Sequence, residues 1–200
     1  MRALRRLSDG RVICGPSNLV DEILRASDTK RIAELVDTKW AGDTSALSAP
    51  PASAAHALRV RARAPVARKP VVYSSPRIGL DLSHPGTTAS PSDPRVIFVQ
   101  KPYRFFTNPS LISNGRPQTF LGIYNFISEA GILSESGVRD EVARLAGMAR
   151  NVVDRYAADF ATGRDHGLLK QFIGAAGKGA SSSPGTYLKM MGTLKRLDPQ

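Results

Sequence analysis

The order of structural elements along this chain is decided by residues 96–113, which read VIFVQKPYRFFTNPSLIS. Residues 96–99 are β-branched or aromatic and predict a short strand, as do residues 71–73, because both runs are bounded by turn-forming residues. A long polar loop, residues 81–94, separates the two runs. Beyond residue 118 the apolar spacing becomes helical, in residues 120–130, 138–146, 151–161, 166–173 and 187–197. We therefore expect a mixed α/β (α+β) chain that ends in an all-α extension, residues 118–200.

The first 70 residues combine a regular part with an irregular one. A turn and a short strand, residues 8–14, precede a helix whose apolar side chains, from Leu19 to Val36, follow the 3.6-residue period. Ser17 stands at the position expected of the N-cap of that helix. Residues 41–70 are rich in Ala, Ser and Pro, and their second half holds five cations and no acid. This composition predicts a flexible basic loop.

The charge of the chain favours a polyanionic partner. Its net charge is +11, and residues 1–117 carry 18 Lys and Arg against 9 Asp and Glu, whereas residues 118–200 carry 10 against 8. Nucleic acid is the usual partner of such a surface, because neutralising phosphates releases condensed counterions. A merely basic protein remains the alternative on charge alone. An anionic membrane surface is disfavoured, because no strongly amphipathic Lys-rich helix carries the excess.

The composition also bears on cellular location and on cofactors. No run of 18 apolar residues is present, and the amino terminus lacks the hydrophobic core of a signal peptide, so we expect an intracellular protein. A single cysteine, Cys14, excludes an internal disulfide. His56, His84 and His166 are scattered without the spacing of metal ligands, so we expect neither a metal nor a cofactor.

Five short blocks in the first part of the chain occur in a distinctive order. They are Arg2-Ala3-Leu4, Cys14-Gly15-Pro16-Ser17-Asn18-Leu19, Ser75-Pro76-Arg77-Ile78-Gly79, Pro102-Tyr103-Arg104-Phe105-Phe106 and Asn108-Pro109-Ser110-Leu111-Ile112-Ser113. In this order they resemble the carboxy-terminal half of the alkyladenine (3-methyladenine, methylpurine) DNA glycosylases. The resemblance covers residues 1 to about 116 and implies a curved, largely antiparallel sheet with helices over residues 1–117.

The resemblance implies roles for particular residues. Arg2 matches an arginine that helps to hold the attacking water, and Ile78 would touch the same water through its main-chain carbonyl. Ser17 matches a residue that grips a DNA phosphate, whereas Asn18 stands where the family typically has Lys, which weakens one phosphate contact. Four further cations are candidate DNA contacts, namely Arg77, Lys101, Arg104 and Arg116. Arg104 stands beside an aromatic pair, so for this residue a structural role is the alternative to a DNA contact.

The chemistry of the resembled family depends on two blocks that these 200 residues do not contain. Family members flip a damaged purine out of duplex DNA, insert a Tyr into the gap and hydrolyse the N-glycosidic bond with a water activated by a Glu. Neither block occurs, and Met1 stands immediately before the Arg2 block, as if the chain began inside the domain. We therefore expect a protein related to base excision repair, with double-stranded DNA as partner and the nucleus as location. This chain alone is not expected to excise bases.

Residues 141–157 suggest a second hypothesis, a helix-turn-helix motif that binds DNA. Ala143, Gly147 and Val153 have the spacing of a helix-turn-helix. Four residues would then face outward from its second helix, namely Arg150, Asn151, Asp154 and Arg155. A plain αα-hairpin has the same pattern, and the near-neutral charge of the segment favours it. The competing function is a non-catalytic DNA-binding protein that uses this segment and the basic loop.

Overall fold

The chain folds as two compact units. The computed structural model describes residues 3–45, 69–174 and 183–197, together with residues 47, 49, 54, 56, 57 and 59. The units are Met1–Lys69 and Pro70–Gln200. Both contain helices and short antiparallel strands, so the mixed α+β class expected from the sequence is confirmed.

The first unit contains a small hairpin followed by a helix. Strand β1 (Ala3–Arg5) pairs antiparallel with β2 (Val12–Cys14). Helix α1 (Pro16–Ala26) follows directly, with Gly15 as its N-cap at φ 100° and Pro16 as its first residue. The expectation that Ser17 caps the helix was therefore wrong. Proline is favoured at the first helical position because its ring fixes φ and the missing N–H has no intrahelical partner there.

The helix expected to run as far as Val36 is interrupted. Asp28 adopts a left-handed conformation with φ 48°, and this ends α1 shortly after Ala26. The chain then forms α2 (Ile32–Glu34), which continues into a π-helical turn, Leu35–Lys39. The apolar period correctly predicted helix on each side of the break. It could not predict the break itself, because the period does not show which single residue adopts left-handed geometry.

The second unit begins with a two-stranded ribbon. Strand β3 (Tyr73–Ser75) pairs antiparallel with β4 (Arg104–Phe106), so that Tyr73 lies opposite Phe106 and Ser75 opposite Arg104. Within the described residues the strands form two separate two-stranded sheets. These described strands do not form the curved sheet that the resemblance implied.

Residues 96–99, expected as a strand, belong instead to helix α3 (Pro94–Val99). The Asp93 side chain caps this helix by accepting a hydrogen bond from the Arg95 amide at 2.8 Å, and Pro94 occupies its first position. Val96 and Val99 are buried, while the two residues between them are exposed. Buried side chains three residues apart lie on one face of a helix, so this spacing outweighs the β propensity of the run.

The rest of the second unit is helical, as expected from residue 118 onward. A 3₁₀ turn (Pro109–Leu111) leads to α4 (Arg116–Ala130), α5 (Glu135–Ala146), α6 (Arg150–His166), a second 3₁₀ turn (Leu169–Gln171) and α7 (Pro184–Leu197). The helix expected over residues 166–173 is reduced to that second turn. Fully buried side chains from four of these helices form the core, among them Phe120, Val142, Val153 and Leu188.

Two glycines allow α6 and α7 to approach closely. A Cβ atom on Gly163 would clash with the Lys189 backbone, and one on Gly192 would clash with the Phe160 carbonyl and lie 2.6 Å from the Arg164 nitrogen. Side chains at these positions would therefore push the helices apart. Helix α4 packs on β3 in a similar way, since a Cβ on Gly122 would lie 2.6 Å from the Ser74 carbonyl oxygen.

The packing of α4 against β3 joins the ribbon to the helical part in one unit. The expected division at residue 117 falls inside α4, whereas the contacts divide the chain between Lys69 and Pro70. In the described part of the chain, no helix has the length and apolar content needed to cross a lipid bilayer.

Candidate nucleic-acid interface

A loop and the start of α4, each carrying an exposed arginine, meet in the second unit. Gly115 caps α4 in left-handed geometry, with φ 70°. The Ile78 side chain occupies the space where a Cβ on Gly115 would stand, so the two residues are in direct contact. Their neighbours Arg77 and Arg116 are both exposed. Contact between Ile78 and Gly115 therefore brings the segments of two candidate DNA-binding arginines together.

The half-buried guanidinium of Arg104 is held by neighbouring side chains. It donates one hydrogen bond to Ser75 Oγ at 3.1 Å and another to Thr119 Oγ1 at 3.0 Å. Its Cζ atom also lies 4.5 Å from the centre of the Phe106 ring. These contacts join β3, β4 and α4, which fits the structural role that the sequence left open for this side chain.

The Arg104 contacts belong to a larger buried polar cluster. Ser75 and Thr119 are fully buried, and Gln118 and Tyr187 are nearly so. The Tyr187 hydroxyl faces Gln118 but makes no hydrogen bond of ordinary geometry with a described residue. Burial raises the pKa of that hydroxyl above its usual value, so Tyr187 stays neutral at physiological pH. No spacing in the sequence indicated this cluster, because its members come from separate elements.

Residues 70–117 contain cations that no carboxylate of the described residues neutralises. Arg77, Arg95, Lys101 and Arg116 form no ion pair with any residue that the structure describes, and we call these four the unpaired cations. Arg77 and Arg116 are exposed, and Arg95 and Lys101 are half-buried. Their charge is therefore available to a ligand.

Several cations of the helical part, by contrast, are paired with carboxylates. Arg139 pairs with Glu135 at 2.8 Å, Arg144 pairs with Glu141, and Lys189 pairs with Asp159 at 3.4 Å. Arg164 likewise pairs with its neighbour Asp165 at 2.9 Å. The carboxylates of these helices therefore offset much of the positive charge nearby, although Arg155, Lys170, Lys195 and Arg196 also form no ion pair among the described residues.

The proposed recognition helix of residues 141–157 corresponds to the start of α6. Gly147 ends α5 in left-handed geometry, with φ 61°, and α6 begins three residues later. Arg150 does not extend freely outward, because it pairs with Asp140 and with Asp154, the latter at 3.0 Å. Arg155 lies over the ring of Tyr156 at 6.0 Å. An arginine engaged with two carboxylates is a poor reader of base edges, which favours the plain αα-hairpin.

The candidates in the first unit have less defined surroundings. Ser17 is exposed at the second position of α1, and Asn18 donates its side-chain amide to the Cys14 carbonyl at 2.8 Å. Arg2 and much of the basic loop, including Arg61 and Arg63, lie outside the described residues. In the described part of the chain, no group of His, Cys, Asp and Glu is arranged to hold a metal ion.

A charge network joins the hairpin of the first unit to α1. Arg6 pairs with Asp9 and with Glu22, the latter at 3.1 Å, and Arg25 pairs with the same Glu22 at 2.5 Å. Hydrogen bonds from Arg25 and then Arg6 lower the pKa of Glu22 from 4.5 to about 2. Two arginines of this unit are therefore neutralised internally and are not free to bind phosphate.

Comparison with known proteins adds no relative to these observations. No family model matches the chain, and no curated protein or solved structure is similar to it at a significant level.

Proposed function

We propose that this chain binds double-stranded DNA through phosphate contacts, as a protein of the alkyladenine DNA glycosylase type in base excision repair. The observation that carries the proposal is the set of unpaired cations before residue 118, which lies in the part of the chain, residues 1 to about 116, that resembles the glycosylases. Phosphate neutralisation by such side chains gives affinity without sequence preference. The proposed location is the nucleus.

Two residues are the best candidates for the first phosphate contacts. Arg77 and Arg116 are exposed, lack carboxylate partners among the described residues, and flank the contact between Ile78 and Gly115. Because that contact fixes both backbones, little ordering of the protein is needed when DNA binds. A preorganised pair of this kind is favoured over cations on freely moving segments.

The helix-turn-helix hypothesis is weaker than phosphate binding. Arg150 is engaged by Asp140 and Asp154, so reading bases would require these pairs to break. The chemistry of the glycosylases, hydrolysis of the N-glycosidic bond of alkylated or deaminated purines, is proposed for a protein that also supplies the Glu and Tyr blocks. In such a protein the short strands described above would form part of a larger curved sheet.

The salt dependence of binding tests this proposal. Fluorescence anisotropy with a labelled duplex, between 50 and 200 mM salt, should give a linear fall of log K with log salt, at about 0.9 per phosphate contact. Combined Arg77→Ala and Arg116→Ala substitutions should lower that slope by about 2. The control combines Arg144→Ala with Arg164→Ala, which removes the same charge from paired positions and should leave the slope unchanged. Equal effects of the two double variants would contradict the proposal.

Enzymatic activity is tested separately. Duplexes that contain hypoxanthine or 3-methyladenine, incubated with this chain in excess, should retain the damaged base, because neither the Glu nor the Tyr block is present. Release of the base by the 200-residue chain would overturn this part of the proposal and would require another general base within the chain.

A further inference from the structure

The second unit contains a groove that shares one side chain, Lys101, with the proposed duplex contacts. It lies between β3, the loop at residues 100–102, α4 and α7, with a cavity volume of about 350 Å³. Pockets for small molecules begin at about 300 Å³. The floor is apolar and includes Leu121, Phe160 and Met191. The groove is therefore large enough for one small ligand with a flat apolar part.

One wall of the groove is cationic. Lys101 lines it from the loop before β4, and Lys195 lines it from the last turn of α7. These segments adjoin each other, because Gln100 and Lys101 share a neighbouring hollow of about 80 Å³ with Leu194. Neither lysine forms an ion pair within the described residues. Two uncompensated ammonium groups at one end of a groove attract a phosphate.

The opposite wall comes from one face of α4. Asn125, Phe126 and Glu129 line it, and the Phe126 ring is about half exposed. Tyr73 holds this ring from the side, in an edge-on contact with centroids 5.1 Å apart. The Asn125 amide and the Glu129 carboxylate make no side-chain hydrogen bond with a described residue. A fixed ring beside free amide and carboxylate groups suits a heteroaromatic base that has both donors and acceptors on its edge.

The geometry points to a binding site for a purine nucleoside monophosphate in this groove. The phosphate binds at the Lys101 and Lys195 end, away from the Glu129 carboxylate, which would repel it. The base stacks on Phe126 and presents its edge to Asn125, whose amide can pair with an adenine edge, while Glu129 accepts from an exocyclic amine. The inference shares Lys101 with the proposed duplex binding, whereas Phe126 and Lys195 belong to the groove alone, so variants at these two positions test the groove separately.

Calorimetric titration of the full chain with deoxyadenosine monophosphate tests this site. Binding should be saturable, and Lys195→Ala should weaken it by about tenfold through loss of a charged phosphate contact. Phe126→Leu should weaken it by about tenfold through loss of stacking while keeping an apolar side chain against Tyr73. The matched control is Lys170→Ala, an exposed lysine outside the groove, which should change the affinity less than about twofold.

Parallel probes separate the two parts of the ligand. Adenosine and inorganic phosphate should each bind more weakly than the monophosphate. Equal binding of adenosine would overturn the phosphate site, and equal binding of inorganic phosphate would overturn the base site. The absence of saturable binding at millimolar monophosphate, or an equal effect of the Lys170 and Lys195 variants, would overturn the inference as a whole. A single strand with a 5′-phosphate, compared with its dephosphorylated form, distinguishes a strand end from a free nucleotide as the source of the same chemistry.

Discussion

Replacement of Arg104 by methionine separates a structural role of this side chain from contact with DNA. The wild-type guanidinium donates to Ser75 and Thr119 and lies over the Phe106 ring. Methionine keeps the apolar stem but removes both hydrogen bonds and the charge. If Arg104 serves only to make the contacts seen in the structure, the variant should be less stable. The salt dependence of its DNA affinity should be unchanged.

The size of the stability loss follows from these contacts. Each hydrogen bond from a charged donor contributes about 1.5–3 kcal/mol, and the contact with the ring adds about 0.5–1 kcal/mol. Ser75 keeps its own hydrogen bond to the Pro76 carbonyl at 3.1 Å, so its hydroxyl is not left without a partner. These contributions sum to about 3.5–7 kcal/mol, and because Arg104 is only half-buried we expect a loss at the lower end, about 3.5–4 kcal/mol. That is a large part of the ~5–15 kcal/mol typical of a folded domain.

The two units can be followed separately during unfolding. All 5 tyrosines lie in residues 70–200, whereas the single tryptophan, Trp40, lies in the first unit. Urea unfolding of Arg104→Met should therefore shift the near-UV tyrosine transition and leave the Trp40 fluorescence transition unchanged. A stability loss below about 1 kcal/mol, accompanied by a decrease of about 0.9 in the salt slope, would refute the structural role and restore Arg104 as a phosphate contact.

Three further predictions concern packing, capping and pH. Gly192→Ala should destabilise the second unit by about 1–3 kcal/mol in urea unfolding, because its Cβ would clash with the Phe160 carbonyl, whereas Gly137→Ala, whose Cβ would lie no closer than 3.4 Å to a neighbour, should be neutral or stabilising. Asp93→Ala should cost about 1–2 kcal/mol in the same assay through loss of the helix cap and of two hydrogen bonds from Thr88, and Asp93→Asn, which keeps an oxygen to cap the helix, should cost less; equal losses would contradict the capping role. The pKa of Glu22 is lowered to about 2 in the folded state, so its contribution to stability is present above pH 4.5 and is lost as the pH falls from 4.5 toward 2. Glu22→Gln should therefore flatten the acid limb of the stability profile reported by Trp40, and an unchanged limb would refute this linkage.

The helices of the second unit were predictable because their signals are local. The apolar period of α4 to α7 and the glycines after α4 and α5 lie within the elements they specify. Residues 96–99 gave the wrong prediction because valine and isoleucine favour strands on average. The Asp93 cap and the burial of Val96 with Val99 depend on tertiary contacts that the run itself does not reveal.

The net charge of the chain could be counted from the sequence, but the partners of the individual charged side chains could not. Counting residues located the basic excess before residue 118, and four cations of that region lack carboxylate partners among the described residues. The same count could not identify the role of Arg104, because its partners Ser75 and Thr119 are 29 and 15 residues away in the sequence. Nor could it identify the groove, whose walls come from four separate elements.

Ion pairing therefore distinguishes the two DNA-binding hypotheses better than net charge does. A phosphate that approaches Arg150 must compete with Asp140 and Asp154, which already hold this side chain. A phosphate that approaches Arg77 or Arg116 displaces only water and counterions, and release of those ions is the main source of affinity. Because breaking ion pairs offsets part of that gain, the segment with the lower density of carboxylates should bind first. If the chain binds DNA as proposed, the interface is therefore expected in residues 70–117, even though residues 141–157 have the spacing of a DNA-binding motif.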